Sequence, residues 1–172
     1  MADAQAPFII PAKDGDLSPY VIYDRLVQLP EFAHLAEGEA VVDFLIAAAP
    51  VMQAKKQVLG ACHLPVVQGK LRGVFVWMLE RTLERMPDFL VTLDMEFWTE
   101  CSDRQREILV YHEMKHMIHD MDREGELRFD EEGRPVWALI GHDIEEFTDT
   151  VSRYGAYSDE LQAFVAAVRT ED

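Results

Sequence analysis

The sequence predicts an α+β domain. Three observations carry that prediction: a period-two apolar run at Phe89–Met95, a capped helical pattern that opens at Ser102 directly after it, and two more helical patterns after Gly141. With 172 residues, 49% of them hydrophobic, the chain is long enough for one compact domain with a sizeable core. Residues 1–17 carry Pro, Gly and Asp without periodicity and are expected to be loose, so the single domain is placed at 18–172.

Each element has its own signal. Ser18-Pro19 reads as an N-cap followed by proline at the first helical position, and Tyr20, Tyr23, Leu26 and Val27 recur at helical spacing, so a short helix is expected over 19–29. Val41–Ala48 is β-branched and aromatic in its first half and reads as a strand. QVLGACHLPVV, 57–67, reads as a second strand with an irregular middle, because Gly60 and Pro65 interrupt pairing. GVFVWM, 73–78, is a candidate third strand, and the helix formers LERTLERM follow it. Phe89, Val91, Leu93 and Met95 alternate with Asp88, Leu90, Thr92 and Asp94, which makes this the clearest strand. Ser102 and Gln105 then form a capping box, and the helix they open is expected to run about five turns, to near Asp120. DEEG at 130–133 suits a hairpin tip. A helix is expected from Gly141 to a C-cap at Gly155, and a last one from Ser158 that buries Leu161, Phe164, Val165 and Val168.

Composition excludes some functions. A formal net charge of −16 argues against nucleic-acid binding through phosphates, which needs basic clusters. No stretch approaches the roughly 18 apolar residues of a membrane span, and MADAQAPFII lacks the basic flank and long apolar run of a signal peptide, so a cytoplasmic protein is expected. Cys62 and Cys101 do not make a disulfide framework and read as buried free thiols.

The chemistry concentrates in VYHEMKHMIHDMD, residues 110–122. His112-Glu113-Met114-Lys115-His116 is an H-E-x-x-H on a predicted helix. Residues four apart lie one turn apart on one face, so two imidazoles can converge on one Zn²⁺ at about 2.0–2.1 Å. Glu113 then projects toward the open coordination position, where it can act as general base for an attacking water.

A third protein ligand is needed. His119 lies roughly 10 Å along the axis from His112 and is reachable only if the helix breaks. Asp122 stands at the last position of the longer pattern H-E-x-x-H-x-x-G-x-x-(H/D), but His119 occupies the glycine position, where a sharp turn penalises a side chain. His142 ranks first, at the expected first turn of the later helix. Glu146 ranks second, as ligand or as acceptor for a ligand histidine, and Glu145 shares that face.

From about Asp88 to Ala156 the chain resembles the phage metallopeptidases, a small zincin-like group. DFLVTLDMEFW, YHEMKH, and GHDIEEF followed by SRYG carry the resemblance, with a weaker echo in KKQVLG at 55–60. The resemblance implies a minimal zinc-peptidase core: a small twisted, mainly antiparallel sheet packed on the H-E-x-x-H helix, with further C-terminal helices, one of which completes the site. It also implies a viral or prophage origin and a peptide or protein substrate.

Under this reading a peptide adds to the strand ending in DMEFW as an extra strand, Glu113 deprotonates the water, and Tyr154 or Arg153 supports the oxyanion. His63 reads as structural or exposed, and Trp98 and Trp137 as core aromatics. Two other functions compete: an acidic phage effector that binds a host protein, with a structural metal or none, and a nucleic-acid mimic without metal.

Overall fold

The structure is a computed structural model that describes residues 7–53, 55–145 and 147–169. The chain divides into two compact units, Met1–Ile140 and Gly141–Asp172. In the first unit the elements are β1 (Phe8–Ile9), α1 (Pro19–Leu26), α2 (Ala33–Glu37), β2 (Val42–Ala47), β3 (Val51–Gln53), β4 (Lys56–Val58), β5 (Gly60–His63), α3 (Arg72–Leu83), β6 (Phe89–Asp94), α4 (Met95–Glu100), α5 (Asp103–Lys115), β7 (Met117–His119) and β8 (Trp137–Leu139). The second unit contains α6 (Thr148–Tyr154) and α7 (Asp159–Arg169).

The period-two run forms β6, and it lies inside a four-stranded sheet of order β1-β2-β6-β5. Burial follows the alternation: Phe89, Val91 and Leu93 are buried, while Leu90 and Thr92 are half-buried. β6 pairs in parallel with β2, from Val42↔Phe89 to Ala47↔Asp94, and antiparallel with β5. β1 pairs antiparallel with β2, so Phe8–Ile9 form a strand within the segment read as loose. The sheet is therefore mixed, and its longest pairing is the parallel one. Val42 and Phe44 of β2 join Phe89, Val91 and Leu93 in a core with Tyr20 and Tyr23 of α1 and Val110 and Met114 of α5.

Several expectations are corrected. GVFVWM is not a strand but the start of α3, which runs without interruption into the helix formers Leu79–Leu83 and ends at Glu84, whose φ is +62°. Val74, Trp77 and Met78 are all more than half exposed, so that run had no sheet to pair with. The segment 57–67 is two strands: β4 pairs with β3, β5 pairs with β6, and the chain switches sheets at Leu59. DMEFW does not continue β6, because Asp94 caps α4 by accepting from Phe97 N–H at 2.9 Å. Ser18 does not cap α1 through its side chain; its hydroxyl donates to the Ala12 carbonyl at 2.7 Å.

The capping box forms as expected: Ser102 accepts from Gln105 N–H and the Gln105 side chain accepts from Ser102 N–H. The helix it opens stops at Lys115, a full turn before Asp120. The chain then becomes extended as β7, with Met117 and His119 buried and Ile118 half-buried, the alternation of a strand rather than of a helix. β7 pairs with β8, and the hairpin between them carries turns at Asp122–Gly125 and at the expected Asp130–Gly133 tip, where Gly133 has φ +78°. In the second unit the expected helix begins only at Thr148; Gly155 does cap it, with φ +72°. On α7 Leu161 is buried, but Phe164 and Val168 are exposed, against expectation.

One buried ion pair ties the sheet to the α3–β6 connection. Asp43 of β2 is 1% exposed and takes both Arg85 Nε at 2.8 Å and Arg85 Nη2 at 3.0 Å, while Tyr20 Oη donates to it at 2.9 Å. Arg85→Ala leaves that carboxylate with the tyrosine alone. The expected loss of unfolding free energy is about 3 kcal/mol, the low end of the range for breaking a buried pair because Arg85 is 43% exposed. Urea denaturation measures it, and a change below about 1 kcal/mol would refute the argument.

Candidate metal centre

The last turn of α5 places His112 and His116 one above the other, with ring centroids 5.2 Å apart and planes at 81°. His116 is the C-cap of that helix, where the chain leaves α5 for β7. Its main chain is fixed to the end of β8, since Ile140 N–H donates to the His116 carbonyl at 2.9 Å. Its ring is fixed to the same residue: Nδ1 lies 2.7 Å from the Ile140 carbonyl oxygen. A carbonyl only accepts, so Nδ1 carries a proton, and in the neutral ring Nε2 is then the nitrogen that could ligate a metal. Carbonyl-bound imidazoles of this kind are the usual outer support of histidine ligands.

His142 follows Ile140 by two residues. One ligand atom from each of His112, His116 and His142 lies within 4.8 Å of the others, a group that could hold a metal ion. The donor chemistry fits zinc: imidazole nitrogens suit it, and three protein ligands leave one tetrahedral position open.

Glu113, beside the first histidine, points the other way from solvent. It is 3% exposed, and burial pushes its carboxyl up to about 7, opposed by the charge that His116 carries when its ring is protonated and by the backbone N–H of Cys62, which it accepts. A cation held by the histidines would act in the same direction as His116, toward the ionised form. The contact with β5 is close. A Cβ built on Gly60 would sit 2.6 Å from Glu113 Oε1 and 3.0 Å from Leu109 Cδ1. Glycine at this strand position is what lets β5 pass directly over the glutamate. The Cys62 thiol behind it is pushed up to about 12 by burial, which keeps it an unreactive thiol.

Of the other candidates, His119 has left the helix, as reaching the metal would have required, but its Nε2 donates to the Arg128 carbonyl at 2.7 Å and its ring packs between Phe129 and Trp137. Asp122 caps its own turn, accepting from Glu124 N–H and Glu126 N–H at 2.9 Å. Glu145 is exposed in the non-helical stretch before α6, so neither it nor His142 sits on a helix; Glu146 lies outside the described residues. Among the described residues, neither Asp122 nor Glu145 belongs to the group that could hold a metal. Tyr154 is exposed on α6 beneath the Arg153 guanidinium, 5.4 Å from its ring centroid. His63 is exposed and bonds Thr92 Oγ1 at 3.2 Å, and Trp98 is a core aromatic, both as expected. β6 is an interior strand, so no peptide can add to it; the edge beside α5 is β5. Among the described residues, no helix is long and apolar enough to cross a membrane.

Sequence reasoning missed the support around the site. In the sequence Gly60 stands as an interruption of pairing, but a glycine inside a strand pattern also signals a close approach. The Ile140 carbonyl carries no side-chain signal at all.

An α+β domain with an H-E-x-x-H helix and a buried glutamate next to its first histidine is a candidate metal-dependent domain. Residues 18–169 match the family described as "Putative phage metallopeptidase", and the chain belongs to that family. No curated protein and no solved structure matches the chain.

Proposed function

We propose that this chain is a zinc-dependent peptidase in which His112, His116 and His142 hold the metal and Glu113 is the general base. The observation that carries the reading is the group of three histidine nitrogens with a backbone-anchored carboxylate one residue from the first of them. When bound, zinc supplies Lewis acidity toward a peptide carbonyl and lowers the pKa of water from about 15.7 toward about 7.

The protein supplies the rest. Ile140 holds His116 in the ligating tautomer. Glu113 accepts a proton from the attacking water and delivers it to the leaving amine nitrogen as the C–N bond breaks; the remaining hydroxyl stays on the acyl carbon as a carboxylic acid, which gives its proton to solvent or to the amine.

The substrate is proposed to lie along β5. Leu59 O accepts from Asp94 N–H at 2.9 Å, so in the antiparallel alternation Gly60 and Cys62 direct their main-chain groups away from β6. Glu113 takes the Cys62 N–H, so the outward main-chain groups of Gly60 are the ones proposed to pair with the substrate. A peptide added there as a strand would bring its carbonyl past Glu113 and the histidines.

The test is zinc content and hydrolysis of an unstructured peptide library, before and after chelation. Bound zinc, hydrolysis lost with the metal and hydrolysis restored on zinc addition are expected. Zinc whose removal unfolds a chain that never hydrolysed peptide would make the metal structural and refute the enzyme.

A further inference from the structure

Beyond Glu113 and His112 the surface continues into a concavity of about 350 Å³. Leu59 of β5, Phe97 of α4, and Ile108 and Leu109 of α5 form its walls. Gln105 stands at the rim, but its side-chain oxygen is engaged by Ser102 N–H at 2.9 Å in the capping box. Apart from Gln105, Glu113 and His112, the lining of this space is apolar. Ile108, at 56% exposure, is left open to water on a chain of net charge −16. Such an apolar patch beside a reactive group is the usual form of a binding surface.

A second concavity, of about 390 Å³, shares Leu59, Phe97 and Gln105 with the first and adds Glu96 and Glu100. Among the described residues, neither of these glutamates makes an ion pair. Glu100 is the last residue of α4, where the helix dipole disfavours an anion and a cation would be welcome.

We infer that the two concavities form one groove for the substrate on one side of the cleaved bond, taking a bulky apolar side chain next to Glu113 and a lysine or arginine beyond it. This specificity rests on the peptidase reading.

The test is calorimetric binding to the zinc-loaded protein, which needs no turnover. The probes are acetohydroxamic acid and an isobutylsuccinyl hydroxamate extended by lysine amide or by glutamate amide. The isobutyl probes should bind at least about tenfold tighter than acetohydroxamate, the worth of one buried aliphatic side chain. The lysine form should bind tighter than the glutamate form at low salt, and the difference should shrink as salt rises. Ile108→Glu, at an exposed position, should remove most of the isobutyl gain, and Glu100→Lys should invert the lysine preference. If acetohydroxamate binds and the isobutyl probes bind no tighter, or if Ile108→Glu leaves their gain intact, the groove assignment is overturned and the peptidase reading stands. If the zinc-loaded chain binds no hydroxamate at all, the peptidase reading falls, and this inference with it.

Discussion

Glu113→Gln retains zinc at the wild-type level and loses peptide hydrolysis by about 10²–10⁴-fold, the range for removing a positioned general base. The amide keeps the shape of the carboxyl, so the strand passing over it at Gly60 is undisturbed. It cannot take a proton from water. The amide can still face its oxygen toward Cys62 N–H, so the main-chain anchor survives and the fold is unaffected. Zinc analysis, thermal denaturation and hydrolysis of the same preparation check all three points. Loss of zinc together with activity would mean that Glu113 holds the metal site together, and a near-normal rate would remove it from the chemistry.

Gly60→Ala acts on the same carboxylate from the other side. Its φ is ordinary for any residue, so the backbone accepts alanine without strain. The difficulty is space: the new methyl would stand 2.6 Å from Glu113 Oε1 and 3.1 Å from its Cδ. Leu109 can rotate away, but the carboxylate is confined by burial and must shift. A displacement approaching 1 Å costs on the order of 10²-fold in rate when the group must meet a reacting atom. Zinc affinity should stay close to wild type, because none of the three histidines is among the atoms nearest that methyl. The diagnostic pattern is kcat reduced with metal content unchanged. Unaltered kcat would show that the position of Glu113 relative to β5 does not matter.

The sequence carried the local parts of the fold well and the non-local parts poorly. The Ser102–Gln105 capping box and the β6 alternation each lie within a few residues and appear as expected. The end of α5 is not legible locally, because Met117, Ile118 and Met121 fit a helical face as readily as a strand. What decides between them is β8, some twenty residues on, which pairs with Met117–His119. The position of β6 in the sheet was equally invisible. Its parallel partner β2 precedes it by three strands and a helix, and nothing in DFLVTLD encodes two neighbours rather than one.

The site shows the same division. The spacing of His112 and His116 follows from helix geometry alone. The helix turn that would favour His142 does not exist, since residue 142 lies in a non-helical stretch before α6. No glycine turn follows His116, and Asp122 accepts hydrogen bonds within its own hairpin.

The central claim is that three imidazoles hold one zinc ion. Zinc titration of wild type, His112→Ala, His116→Ala and His142→Ala tests it most directly, with X-ray absorption of the loaded wild type reporting the ligand shell. The account predicts that each substitution removes most of the zinc affinity, and that the wild-type shell contains three histidine nitrogens at about 2.0–2.1 Å. A His142→Ala chain that binds zinc as tightly as wild type would contradict it.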